Sequence, residues 1–284
     1  VNPYKITEPT CISFSGGRTS AYMLKQFIDA NETQENMAVC FANTGKEDEA
    51  TLRFVDRCSK EWNVPIVWIE HHAEPGKPRE TERVRVVNFE TASRNGEPFT
   101  KLIEKKQYLP NPVTRFCTVE LKIKPMHHYL KSIGWDEYNM ATGIRADEKR
   151  RVAKIRARGS SSESKKATMI LPLDDAGVSV KDVSEFWSMQ GFDLELPNMN
   201  GKTMHGNCDL CFLKGASQIV SLISEKPERA GWWAKMESLA LASAPSGAVF
   251  RSDRPSYSQM LQYTKDQFSL FDGQDESIEC FCGD

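Results

Sequence analysis

At 284 residues, 39% hydrophobic and 27% charged, the chain is long enough to bury a core, and a net charge of −2 selects no polyanionic or membrane partner. No run of about 18 apolar residues marks a spanning helix, and the N-terminus lacks the basic-then-apolar pattern of a secretion signal, so a cytoplasmic protein is expected. Eight cysteines in a reducing compartment argue against a disulfide framework and for metal, catalysis or burial.

The first informative stretch is Thr10 to Leu24. Cys11, Ile12 and Phe14 read as a short buried strand, Ser15-Gly16-Gly17 as a turn, and Thr19 onward as a helix with Tyr22, Met23 and Phe27 on one side. Strand, glycine turn and helix together make an anion cradle. The glycines let main-chain N–H groups point into one concavity, and Ser15, Thr19 and Ser20 add hydroxyls at the positive end of the helix. Arg18 adds a permanent cation. The longer G-x-x-x-x-G-K-[ST] loop is absent here.

Met37 to Ala42 is a second apolar strand ending in the turn Asn43-Thr44-Gly45. A helix over Thr51 to Trp62 and a strand at Pro65 to Ile69 follow, and strands alternating with helices predict a parallel sheet covered on both faces. Ligands of such sheets sit at the carboxyl ends of strands, where both glycine turns fall. Cys11, Cys40 and Cys58 lie on apolar faces and read as core. Residues 70–114, with His71-His72 and the basic run Lys77 to Arg83, read as short elements and loops. Cys117 precedes a helical run, with Lys122 five residues on near the same face. Nearby positive charge favours a thiolate there, which leaves Cys117 open between ligand and core.

Tyr138 to Thr142 reads as a further strand, and Gly143-Ile144-Arg145 as the turn after it. Residues 146–166 then carry eight Lys or Arg against three acids, with a serine-rich end that suggests a mobile flap, the pattern either of a solvated charged face or of an arm that closes on phosphate or grips nucleic acid. Ile170 to Leu173 reads as a short strand, Val180 to Trp187 as an amphipathic helix, residues 193–207 as irregular, and Ser217 to Leu241 as helical. The tail is acidic and holds Cys280 and Cys282, where there is no core to fill. Cys208 and Cys211 form a C-x-x-C whose sulfurs reach one metal or cluster from a tight turn. Cysteine count alone does not separate iron–sulfur from zinc.

In order, Ser15 to Ser20, Asn43-Thr44-Gly45, Arg115 with Cys117 and Lys122 to Pro125, Gly143-Ile144-Arg145 with Glu148, Pro172-Leu173, and Cys208 with Cys211 resemble the phosphoadenosine phosphosulfate (PAPS) reductase family of the PP-loop superfamily. The resemblance covers about residues 10–215. It implies an α/β fold, a Rossmann-like parallel sheet with helices on both faces and a cysteine-bearing C-terminal extension. The expected division is a nucleotide-binding domain at residues 1–190 and a helical, cysteine-containing region at 191–284.

The resemblance assigns Ser13, Ser15, Gly16, Gly17, Arg18, Thr19 and Ser20 to the phosphate or sulfate, Asn43, Thr44 and Gly45 to adenine and ribose, and Gly143, Ile144 and Arg145 to the border of the nucleotide. It makes Cys117, Cys208 and Cys211 ligands of a [4Fe-4S] cluster. Where cluster-bearing members carry two adjacent cysteines, this chain has Phe116-Cys117, so the fourth ligand must be Cys280, Cys282 or a group from outside the chain. Glu279-Cys280 looks like the segment that bears the family's nucleophilic cysteine, without the usual residues after it. Thr19 replaces an aspartate that helps ATP-cleaving members hold Mg2+. Phe116-Cys117-Thr118 with Leu121-Lys122-Ile123 is also similar to the PP-loop ATPases of DNA phosphorothioate modification.

Three functions follow. In the first, a thiolate of Cys280 or Cys282 attacks the sulfur of an adenylyl sulfate (APS or PAPS), Arg18 and Arg145 hold the sulfate, and a thiol reductant protein resolves the product. In the second, ATP adenylylates an acceptor such as a nucleic acid, and a bound sulfide displaces AMP. The third is a zinc-stabilised nucleotide-binding module without chemistry of its own. A homodimer is compatible with each.

Overall fold

The computed structural model describes residues 2–72, 84–199, 203–206, 208–243 and 248–266. Strands β1 (Thr10–Ser13), β2 (Met37–Asn43), β3 (Ile66–His71), β4 (Val84–Val87), β5 (Tyr138–Thr142) and β6 (Ala167–Ile170) form one sheet in the order β4-β3-β2-β1-β5-β6. Every neighbouring pair is parallel except β3 with the edge strand β4. The order runs outward from β1 through β2 and β3 on one side, and through β5 and β6 on the other. A switch point therefore lies between β1 and β5, and the loops after both strands open beside it.

Helices α1 (Arg18–Ala30) and α2 (Glu49–Glu61) cover one face, and α3 (Glu97–Lys106) follows β4. The stretch α4 (Phe116–Thr118), a π turn (Val119–Ile123) and α5 (Lys124–Ser132), together with α6 (Lys149–Arg158), covers the other. Then come α7 (Pro172–Asp175), α8 (Val180–Ser188), α9 (Ala216–Glu225), α10 (Arg229–Ser243) and α11 (Tyr257–Asp266). Alternate residues of each strand divide between the layers as the two-residue period requires. Ile12, Val39, Phe41 and Ala141 pack with α1, α2 and α8, whereas Cys11, Cys40, Met140 and Met169 pack with α5 and α6. A third cluster joins α3 to α9, α10 and α11 through Phe99, Phe212, Trp233, Phe250 and Tyr257, and contains Cys208 and Cys211.

Cys11, Cys40 and Cys58 are fully buried in the sheet layers, as expected. Three local expectations are corrected. Residues 149–158 form a helix with Ile155 buried, and Ser161 beyond it is buried with its Oγ 2.8 Å from His127 Nε2, so the serine-rich end packs against the sheet layer. The strand read at Ile170 to Leu173 lies instead at Ala167–Ile170, because Pro172, which has no N–H for a ladder, opens α7. The helical stretch from Ser217 to Leu241 divides into α9 and α10 around Pro227. The basic run at residues 77–83 and the tail with Cys280 and Cys282 lie outside the described residues. Among the described residues no helix is long and apolar enough to cross a membrane.

Candidate active site

The loop after β1 turns sharply at Gly16, whose φ is +75°. A Cβ there would lie 2.6 Å from Thr51 Cγ2 and 3.0 Å from Val55 Cγ2 of α2, so glycine is required both by backbone angle and by space. Ser20, in the first turn of α1, closes the loop: its Oγ accepts from Ser15 N at 3.2 Å, lies 3.0 Å from Ser15 Oγ and donates to Gly17 O at 3.0 Å. From the other side of the switch point, Gly143 brings the β5 loop against α1, where a Cβ would meet Ser20 Cα at 3.2 Å. Ser13 ends β1 and pairs with Thr142 at the end of β5. The N-terminus of α1, with no acidic residue in its first turn, faces this ring of small residues and hydroxyls, the arrangement that holds an anion.

The two arginines proposed for that anion part company. Arg145 reaches the loop, its Nη1 donating to Thr19 Oγ1 at 3.2 Å and its Nε to Asp147 Oδ1 at 2.9 Å, while its N–H is bound by Glu148. Arg18 is corrected: its side chain turns away from the loop and is buried. Nε and Nη2 each donate to Asp193 at 2.7 Å, and Nη2 also reaches the carbonyls of Leu194 and Leu196. Trp187 Nε1 bonds to the Arg18 carbonyl at 2.9 Å. Arg18 therefore ties residues 187–196 to α1 and does not stand as a free cation for phosphate.

The turn after β2 is organised by two buried carboxylates whose roles no sequence motif announced. Glu70 binds Asn43 Nδ2 at 2.7 Å, Ser93 N at 2.6 Å and Arg85 Nη2 at 2.6 Å, and Asn43 in turn accepts from Gly45 N at 3.1 Å. Glu47 accepts from Thr44 N and Thr44 Oγ1 at 2.9 Å and from Lys46 N at 3.2 Å. Gly45, with φ at +78°, accepts Gly96 N at 2.8 Å. Glu47 stands three positions after Thr44, the spacing at which a carboxylate reaches back to a turn's N–H groups, and that was the available signal.

The same turn carries the cysteine loop. Glu47 and Cys208 form an antiparallel bridge, Asp209 N donates to Lys46 O at 2.7 Å, and Lys46 Nζ pairs with Asp209 at 3.0 Å. Cys117, Cys208 and Cys211 all line one cavity of about 20 Å3, with Thr44, Lys122, Phe99 and Trp233 in its walls. Thr44 Oγ1 lies 3.5 Å from Cys208 Sγ. Lys122 shares the cavity because of the π turn, in which Lys124 N bonds to Val119 O. Five residues of regular α-helix rotate by about 500°, far off one face, and the wider turn restores the alignment with Cys117. Pro125 accounts for the turn, since it has no N–H to offer the carbonyl of Leu121.

Burial pushes the Cys117 thiol up to about 12, with Cys211 adding to the rise and Lys122 opposing it. Burial and then Glu47 raise Cys208 also, so both are neutral thiols at pH 7. Lys122 stays charged: burial opposes its charge, but Cys208, Glu47, Cys211 and Cys117 hold it above the ordinary lysine range. Among the described residues no three His, Cys, Asp or Glu side chains are placed to hold a single metal ion. As a donor set, three soft thiols in an apolar wall with one ammonium suit thiolate-loving metals, and a polynuclear centre, which takes one thiolate per metal, spreads its ligands further than one ion does.

A doubly wound sheet with a glycine-serine loop at its switch point and an ordered turn on the next strand defines a Rossmann-like α/β protein. The phosphoadenosine phosphosulfate reductase domain matches residues 9–195, and the chain belongs to that family. It is 30% identical over 214 residues to the uncharacterized nin region protein ORF290 of Escherichia phage lambda, a match covering 73% of this chain and 67% of that protein. Among solved structures it is similar to phosphoadenylyl-sulfate (PAPS) reductase from Candida auris (14% identity, 66% of this chain and 79% of that one, TM-score 0.39). It is also similar to the U34-tRNA thiolase NcsA from Methanococcus maripaludis with its [4Fe-4S] cluster (14% identity, 99% and 80%, TM-score 0.42).

Proposed function

We propose that this chain is an adenine-nucleotide-dependent sulfur enzyme whose Cys117, Cys208 and Cys211 hold a [4Fe-4S] cluster beside the bound nucleotide. The observation that carries this reading is the double membership of Thr44, which belongs to the turn after β2 and also lines the cavity of the three thiols. When bound, the cluster supplies a field that polarises sulfur at the adjoining nucleotide. The loop at Ser15 to Ser20 takes the phosphate or sulfate, Arg145 supplies positive charge from the β5 side, and Asn43 and Gly45 border the adenosine. Lys122 lies between the thiols and Glu47 and balances negative charge on both sides.

In the reductive reaction, a deprotonated Cys280 or Cys282 attacks the sulfur of an adenylyl sulfate. A sulfur–sulfur bond forms as the sulfur–oxygen bond to the phosphate breaks, leaving a cysteine thiosulfonate and releasing AMP or its 3′-phosphorylated form. A thiol reductant then frees sulfite and takes the cysteine into a disulfide. The second reading is ATP-dependent thiolation, in which an acceptor oxygen displaces pyrophosphate and a bound sulfide displaces AMP, with Mg2+ accompanying the ATP. It is favoured by α6, whose cations begin at Lys149, shortly after Arg145 on the loop that reaches Thr19.

Anaerobic purification with iron and acid-labile sulfide analysis tests the cluster, the expected content being about four of each per chain. A colourless, zinc-loaded protein would make the chain a nucleotide-binding module instead. Incubation with an adenylyl sulfate, followed by mass analysis of residues 267–284, then separates a thiosulfonate from the pyrophosphate release expected of thiolation.

A further inference from the structure

The reading above leaves unused a groove of about 370 Å3 at the opposite end of the sheet. It lies between α5, the entry to β5 and the loop before β6, with Lys124, Lys131 and Lys166 at its rim and His127, Trp135 and Tyr138 in its walls. Its floor is fixed. His127 Nδ1 meets the Tyr138 hydroxyl, His127 Nε2 lies 2.8 Å from Ser161 Oγ, and the Trp135 and Tyr138 rings are 6.2 Å apart. Burial, with His128 beside it, brings His127 down to about 4, so this histidine is neutral at pH 7 and the charge lies at the rim, where the three lysines stand with the carboxylates of Asp136 and Glu163.

The charge around this groove departs from that of the chain. Residues 124–166 hold eleven Lys or Arg against five acids in a protein whose net charge is −2. Part of that excess is spent internally, since Lys166 pairs with Asp136 at 2.5 Å, Lys124 with Glu120 and Glu163, and Arg156 with Asp174 and Asp175. Lys149, Arg150 and Lys165 are exposed and have no ion-pair partner among the described residues. The cations also lie in sequence along the fold. Helix α6 starts beside Arg145 at the nucleotide edge and returns over about 15 Å to Ser160, which bridges to Thr168 in β6, and to Ser161 behind the groove.

We propose that α6 and this groove form a track for a single-stranded nucleic acid, with phosphodiesters along Lys149, Arg150, Lys154 and Lys165 and one unpaired base against Trp135. A groove of 370 Å3 takes a nucleotide but not a duplex, and an aromatic wall under a cationic rim is the combination that holds a stacked base and its phosphate. The track leads to the nucleotide edge, so it deepens the thiolation reading by naming the acceptor. Binding itself needs neither ATP nor the thiols, and its failure is therefore separable from failure of that chemistry.

The test is fluorescence anisotropy of the full chain with a labelled oligonucleotide of about 15 nucleotides, single-stranded and duplex, at about 50 and 200 mM salt. Binding is expected to favour the single strand and to weaken at least about tenfold between the two salts. Trp135→Ala, and independently the exposed charge reversals Arg150→Glu with Lys165→Glu, should each weaken it about tenfold. Adenine nucleotide binding by equilibrium dialysis should not change. The charge-reversal pair touches no core residue, so it decides the matter even if Trp135→Ala fails to fold. Unaltered affinity in that pair, no binding at low salt, preference for the duplex, or competition by AMP as effective as by the oligonucleotide would each overturn the proposal.

Discussion

The anion loop and the thiol cavity both lie beyond the carboxyl ends of the central strands yet are built on opposite principles. The loop comes from consecutive residues, Ser15 to Ser20, and its N–H and hydroxyl dipoles are already oriented by Gly16 and by Ser20. The cavity draws Cys117 from one segment and Cys208 and Cys211 from another some ninety residues later, and its walls are apolar. Dipoles keep their orientation without a ligand, because they are paired with backbone. Thiolates side by side in an apolar wall are not stable alone, so Cys117 and Cys208 rest as neutral thiols and give up protons when a cation arrives. The first site is preorganised by its sequence, the second only by the whole fold.

The sharpest test of that preorganisation is Gly16→Ala. A left-handed φ costs a side chain about 1–2 kcal/mol, and the new methyl would press on the β-branched Thr51, adding about 1–3 kcal/mol. A loss of about 3–4 kcal/mol in urea unfolding is expected, together with lost nucleotide affinity. A variant of unaltered stability would mean that the loop is not held by α2.

Arg18 and Arg145 divide stability from binding at the same loop. Arg18→Met should cost about 3 kcal/mol in denaturant unfolding, because it removes a buried guanidinium from Asp193 and two carbonyls. Nucleotide affinity of its folded fraction should be near normal. Arg145→Met should do the reverse, weakening nucleotide binding with little change in stability. If calorimetry gave Arg18→Met the larger binding defect, Arg18 would have to turn toward the ligand.

How legible each site was in the sequence follows from the same contrast. The loop, the β2 turn and the burial of Cys11, Cys40 and Cys58 could be read from adjacent residues and strand periodicity. Arg18 was misread because adjacency to a loop does not fix which way a long side chain points; Asp193, far along the chain, decides it. The shared face of Cys117 and Lys122 was read correctly, but it holds only because Pro125 forces a π turn. Glu47 and Glu70 went unnoticed as organisers, since a buried carboxylate looks in sequence like any surface acid. The packed, helical form of residues 149–158 was hidden by a run of charges whose apolar anchors are Ile155 and the half-buried Val152.

The cavity, unlike the loop, should give stability a dependence on alkaline pH. Cys117 is raised from 9.0 to about 12 in the fold, so the folded state keeps a proton that the unfolded chain gives up. Its contribution is present below pH 9 and is lost as pH rises toward 12. By pH 10 this amounts to about 1.4 kcal/mol. Urea unfolding of the wild type against Cys117→Val at pH 8 and pH 10 isolates it from Cys58 and Cys208, which are raised by burial as well. Equal slopes in the two proteins would place Cys117 in water rather than in the wall.

Thr44 belongs both to the turn after β2 and to the wall of the thiol cavity, and a small change there probes whether turn and cavity are independent. Thr44→Val keeps the shape but removes the hydroxyl that donates to Glu47 and lies beside Cys208 Sγ. Glu47 keeps its bonds from Thr44 N and Lys46 N, so the cost to stability should be only about 1 kcal/mol. Cadmium uptake by the thiols and nucleotide affinity should both fall by a few-fold, because Cys208 loses a polar neighbour while the turn after β2, proposed to border the adenosine, loses a tie to Glu47. Thr44→Ser, which restores the hydroxyl, should recover both. If only one of the two affinities fell, the turn and the cavity would be neighbours without being coupled, and the shared wall would have no functional consequence.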